Sequence, residues 1–136
     1  MPVKTTILLV DCNEDTLLSI KDGLESYDRS YEVDWVKDAS ECLNYVRQKK
    51  PDLFLINIML PEMDGFTLME KLKMTDAKNA AFIYMTAKYD YDMIKKVNML
   101  TADDFIAHPI NIPELILRIQ KIIIWRCYRK RPKAKD

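Results

Sequence analysis

Apolar runs alternate with helical stretches five times along the chain. Residues 6–10 (TILLV), 31–36 (YEVDWV), 52–57 (DLFLIN), 81–86 (AFIYMT) and 103–107 (DDFIA) read as strands. The first, third and fourth are almost continuously apolar, which predicts strands covered on both faces of a parallel sheet. YEVDWV alternates more, as befits a strand nearer an edge. The stretches between them repeat at helical spacing. Residues 13–27 place Leu17, Ile20 and Leu24 on one stripe, residues 40–49 place Cys42, Leu43 and Val46, and residues 65–74 place Phe66, Met69 and Leu72. Residues 91–100 form a weaker pattern. From Pro113, which suits a first helical turn, Leu115, Ile116, Ile119, Ile122 and Ile123 make a long amphipathic stripe. Five such alternations predict an α/β fold: a doubly wound, five-stranded parallel sheet with right-handed crossovers and helices on both faces.

The 136 residues suit one domain with a substantial core. No apolar run approaches the roughly 20 residues that span a bilayer, and the N-terminus MPVKTTILLVD lacks the features of a signal peptide. A cytoplasmic location without membrane contact is the expectation. Three widely spaced cysteines, Cys12, Cys42 and Cys127, fit free thiols better than a disulfide framework or a zinc finger. The net charge of zero conceals an asymmetry: from Lys121 onward there are seven basic residues and one acid, so the tail carries +6 and the body −6. A short basic tail on an acidic body does not describe a dedicated nucleic-acid binder. Residues 1–123 are expected to form the domain and residues 124–136 a basic extension or linker. The consecutive Ile122, Ile123, Ile124 and Trp125 exceed what one helix face needs, so some of them should be exposed or meet a partner.

In a sheet of this kind ligands bind beyond the carboxyl ends of the strands, near the reversal in strand order. The residues presented there are Asp11 and Cys12, then Asn57 followed by Ile58 and Met59, then Thr86, and finally His108 before Pro109. The segments ILLVDCNED, PDLFLINIMLPEMDGFTLMEKLK, FIYMTA and TADDFIAHPINIPELILRI resemble the receiver domain of two-component response regulators, and LPEMDGF and ADDFIAHP are most similar to receivers joined to winged-helix DNA-binding domains. The resemblance implies a (βα)5, flavodoxin-like fold, a role in phosphorelay signal transduction and no enzymatic activity of the ordinary kind.

It also implies roles for individual positions. In receivers two acids and a third-strand aspartate hold Mg²⁺, that aspartate accepts a phosphoryl group, and a hydroxyl and a lysine bind the phosphoryl oxygens. Asp11 and Cys12 fall on the two acids, Asn57 on the phosphoacceptor, Thr86 on the hydroxyl and His108 on the lysine. Met59 would offer its backbone carbonyl to the metal, and Phe105 falls on the aromatic that rotates on activation. Three of these positions depart from the pattern. An amide cannot become an acyl phosphate, Cys12 offers soft sulfur where Mg²⁺ favours oxygen, and His108 replaces a fixed ammonium with an imidazole. The expectation is a degenerate pocket that holds Mg²⁺ weakly or not at all, needs no cofactor and acts independently of phosphorylation. The alternatives are phosphorylation at another acid, with Asp11 the nearest, a small ligand in the vacated pocket, or a softer metal on Asp11, Cys12 and His108. The plainer expectations are that Cys12 is a small buried filler and His108 is hydrogen-bonded to a nearby carboxylate or carbonyl.

By the same resemblance the docking face is formed by the helix over 91–100, the last strand and the last helix. Lys95, Lys96, Asp103, Asp104, Glu114 and Arg118 are its candidate charges. The expected partners are a sensor kinase, an output protein or domain, and a second copy of the chain.

Overall fold

A computed structural model describes residues 4–86 and 102–130, with side chains through Arg126. The elements are β1 (Thr5–Val10), α1 (Glu14–Tyr27), β2 (Tyr31–Val36), α2 (Ala39–Tyr45), β3 (Leu53–Asn57), α3 (Gly65–Leu72), a 3₁₀ turn at Asp76–Asn79, β4 (Ala81–Thr86), β5 (Asp104–Ala107) and α4 (Ile112–Lys130). The five strands form one parallel sheet in the order β2-β1-β3-β4-β5. The chain winds outward one way from β1 and then the other way from β3, so the reversal lies between β1 and β3.

The two-residue period of the strands divides the core into two layers. Ile7, Leu9, Leu53, Leu55, Ile83 and Met85 face one side, against Leu17, Ile20 and Leu24 of α1 and Leu115, Ile119 and Ile122 of α4. Leu8, Val10, Phe54, Ile56, Phe82 and Tyr84 face the other, against Cys42 of α2 and Phe66, Met69 and Leu72 of α3. Aromatic rings dominate that second layer. Phe54 and Phe82 stack across neighbouring strands at 5.1 Å, and the Phe66 ring meets Tyr84 edge-on at 4.8 Å. Such pairs add about 0.5–1.5 kcal/mol each beyond the area they bury.

The alternating strand β2 does lie at an edge. Side chains of α1 occupy the hydrogen-bonding groups of its Val33: the N–H donates to Glu25 Oε2 at 3.3 Å, and the carbonyl accepts from Lys21 Nζ. An open edge is thereby kept from pairing with other strands.

Helix ends follow their caps. Asn13, Asp38 and Asp64 each accept a backbone N–H from three residues on, at the starts of α1, α2 and α3. Asn111 Oδ1 accepts from the Glu114 N–H at 2.9 Å at the start of α4. Helix α2 stops at Tyr45, four residues short of the predicted 49. There Arg47 and Gln48 tighten into bonds with carbonyls three residues back, ahead of Pro51. The last helix is longer than its apolar stripe: it continues through Lys130, so the expected division at residue 123 falls inside α4. Ile122 is buried and Ile123 half-buried, while Ile124 and Trp125 are exposed, as the over-long apolar run required. The helix expected over 91–100 lies outside the described residues.

Burial pushes the Cys42 thiol up to about 12, so almost none of it is thiolate near neutrality. Iodoacetamide at pH 8 should leave Cys42 unmodified in the folded protein and label it once guanidinium has unfolded the chain. Peptide mass mapping reads the difference.

Candidate functional site

Because the central strands are apolar on both faces, their polar groups collect at the carboxyl end. Asp11, one residue past β1, is almost wholly buried. Its two oxygens have separate partners: Oδ1 accepts the Asn13 N–H at 3.0 Å, and Oδ2 accepts from Asn57 Nδ2 at 3.1 Å. Asn57, the last residue of β3, then uses its own oxygen to accept the Met59 N–H at 2.8 Å. The amide thus donates to one strand's loop and accepts from another. An ionised aspartate has no donor with which to complete that chain.

Gly65, the first residue of α3, is pressed against the same loop. Its N–H donates to the Ile58 carbonyl at 2.8 Å. A Cβ added there would lie 2.7 Å from the Asn57 carbonyl oxygen and 3.0 Å from the Ile58 Cα. Both are backbone atoms that cannot swing aside. The N-terminus of α3 therefore holds the Asn57–Met59 loop in place.

Thr86, at the end of β4, is buried, and its carbonyl accepts the His108 N–H at 2.7 Å. This bond ties the loop after β5 to β4. Two of the plainer expectations are corrected here. His108 Nε2 is buried with no hydrogen-bond partner among the described residues, so the imidazole does not find the expected carboxylate or carbonyl among them at that nitrogen. Cys12 is exposed instead of filling the interior, because Asp11 takes the inward position at the end of β1 and the next residue turns out. Met59 likewise exposes its side chain. Asp11, Cys12 and His108 do not form a metal-donor group; among the described residues no three His, Cys, Asp or Glu side chains do. Phe105 is half-buried and packs on the layer that holds Phe82 and Tyr84.

On the β5–α4 face, Asp104, Glu114 and Arg118 come together within the chain. Arg118 Nη1 lies 2.8 Å from Asp104 and Nη2 2.9 Å from Glu114. Both carboxylates, through hydrogen bonds and charge, favour the charged guanidinium; they outweigh burial, its largest single influence, and its pKa rises. Asp103 accepts the Phe82 N–H at 2.8 Å and stands 3.8 Å from Arg126. Lys95 and Lys96 lie outside the described residues.

The sequence profile of the response regulator receiver domain matches residues 7–120, most of the chain. The chain belongs to the response regulator receiver family. Among its relatives, the response regulator GtcR of Aneurinibacillus migulanus is 38% identical over 116 residues, which is 85% of this chain and 46% of GtcR. The transcriptional activator protein IrlR of Burkholderia pseudomallei is 30% identical over 118 residues, 86% of this chain and 49% of IrlR. The receiver thus spans about half the length of these relatives. Its fold matches a CheY-like response regulator receiver domain protein from Methanospirillum hungatei with a TM-score of 0.84 at 27% identity, over 93% of this chain and 98% of that one. A two-component response regulator from Clostridium difficile matches at 0.81 and 25% identity, over 88% and 96%. No helix among the described residues is long and apolar enough to cross a membrane.

Two residues of the receiver's site escaped the reading of strand ends. Asn13 caps α1 and also supports Asp11; an Asn just before acidic residues at a helix start is its visible signal. Gly65 after Asp64 reads as a turn, and only the assembled loop shows that a side chain there has no room. Gly65→Ala should destabilise the receiver by about 1–3 kcal/mol through this backbone clash, measured by urea denaturation. Asn13→Ala should cost about 1 kcal/mol through loss of the cap.

Proposed function

We propose that this receiver does not accept a phosphoryl group at residue 57 and that it signals through protein–protein contacts held in one resting arrangement. The observation that carries the reading is the 3.1 Å bond from Asn57 Nδ2 to Asp11 Oδ2. In a site with carboxylates on both strands a cation is needed to hold two negative charges side by side. Here the uncharged Asn57 amide faces Asp11 and donates to it, so there is no second negative charge for a cation to offset.

The donors present do not fit Mg²⁺. Asp11 is the one carboxylate among Asp11, Cys12 and Asn57, and both its oxygens already accept hydrogen bonds. The exposed Cys12 thiol is too soft a ligand for a hard dication. The same two bonds and the burial of Asp11 argue against Asp11 as a substitute acceptor. Without a phosphoryl oxygen, the site lacks the ligand that would draw the Thr86 hydroxyl toward one of two states.

The contact surface proposed is the β5–α4 face and the outer side of α4, where Leu117 and Ile124 are each 66% exposed and Trp125 is 54% exposed. Asp104 and Glu114 are already paired within the chain through Arg118, so exposed apolar groups supply the attraction. A second copy of the chain, an upstream kinase and a transcription-regulating module of the kind named among the relatives are the proposed partners, met in the cytoplasm.

Acetyl phosphate with Mg²⁺ should leave the intact mass unchanged; a phosphoryl adduct mapped to the Asn57 peptide overturns the reading. Asn57→Asp should lower stability by about 1–3 kcal/mol at pH 7 without metal, since a carboxylate would face Asp11 and the donor would be gone. Acidification protonates the introduced carboxyl, so the penalty should shrink toward pH 4, and Mg²⁺ should raise the Tm of this variant while leaving the parent unchanged. Leu117→Glu with Ile124→Glu should keep the Tm and abolish concentration-dependent association in sedimentation velocity. A parent that stays monomeric at every concentration removes the second copy as a partner.

A further inference from the structure

A groove with an apolar floor and a charged rim lies away from Asn57. It lies at the opposite end of the sheet, where β1, β3 and β4 begin, and has a volume of about 350 Å³. That volume is within the range of small-ligand sites. The floor is apolar: Leu53 and Ala81 from the strands, Ile122 and Ile123 from the later turns of α4. The rim carries three cations, Lys4, Lys50 and Arg126, and two acids, Asp52 and Asp76.

The acids do not balance the cations equally. Asp52 Oδ2 is occupied by the Thr6 N–H at 2.9 Å and the Thr6 hydroxyl at 3.1 Å, so it is turned to the chain between β1 and β3. Asp76 pairs with Lys50 at 3.2 Å, and both side chains are largely exposed. Such a pair is worth only about 0–1 kcal/mol and yields easily to a better anion. Arg126 is 3.8 Å from Asp103, a loose contact that engages one of its five donors among the described residues. Lys4 is an exposed third cation at the same rim.

We propose that this groove binds a small organic carboxylate with an apolar body, the body lying on Leu53, Ala81, Ile122 and Ile123 and the carboxylate meeting Arg126 and Lys4. A planar guanidinium matches a carboxylate with two parallel hydrogen bonds, which a lysine alone does not offer. The site is independent of whether residue 57 can be phosphorylated. It has one consequence for signalling: Ile122, Ile123 and Arg126 belong to α4, whose outer face carries Leu117 and Ile124, so a ligand here grips the helix that presents the contact surface.

The test is an amide NMR titration of the full chain with sodium benzoate, alongside benzamide and sodium sulfate at matched ionic strength. Benzoate should give saturable shifts centred on Leu53, Ala81 and Arg126. Benzamide and sulfate should bind these amides at least about tenfold more weakly, because each lacks one half of the recognition. Lys4→Gln with Arg126→Gln should weaken benzoate by about tenfold or more at unchanged Tm, since both side chains sit at the surface. Shifts that rise linearly and spread over the whole surface overturn the proposal. So does sulfate equal to benzoate, which would leave a cation cluster alone, or benzamide equal to benzoate, which would leave an apolar patch alone, or a double variant that binds as the parent does.

Discussion

Strands β1, β3 and β4 lie side by side with a packed layer on each face, and no polar side chain can be placed along most of their length without a partner. That burial drives the chemistry-bearing residues to the ends of the strands. At the carboxyl end Asp11, Asn57 and Thr86 collect within the first residues past the core. At the amino end Lys4, Lys50 and Asp52 do the same. The molecule is an apolar slab with two polar ends.

At the carboxyl end the arrangement closes on itself. A buried carboxylate without a cation needs donors for its oxygens, and Asp11 finds them in the Asn13 N–H and the Asn57 amide. Asn57 is also held by Met59, and that loop in turn by the close approach of Gly65. Each bond supports the next, so removing one donor exposes a buried charge. At His108 the closure is incomplete, with a buried imidazole nitrogen that has no hydrogen-bond partner among the described residues. The β5–α4 face is different in kind: Arg118 draws Asp104 and Glu114 into a local cluster, while Leu117, Ile124 and Trp125 of α4 stand exposed.

Fold class, strand positions and the edge character of β2 were legible in the chain, because a strand buried on both faces must be apolar at consecutive positions and an edge strand need not be. The family was legible too, from ordered motifs that cover most of the chain. Helix ends were less so. The stop of α2 depends on a local tightening at Arg47 and Gln48, and the continuation of α4 to Lys130 goes beyond its apolar stripe. The identity of the site residues was visible one by one, whereas their mutual support was not. Cys12 illustrates the limit: its type suggested a buried filler, and the direction of the chain after Asp11 placed it outside.

The order of residue types along the chain determined by itself that a five-stranded parallel sheet would form, and that an amide, Asn57, would stand at the end of the third strand, since periodicity and residue identity are local properties. Only the tertiary structure decided what that amide does. Asp11 and Asn57 are 46 positions apart, and the bond between them exists because β1 and β3 are neighbours in register. The same holds for the groove at the other end, whose walls come from three strand starts and the later turns of α4. Contacts between distant positions are set by packing, and packing is a property of the folded whole.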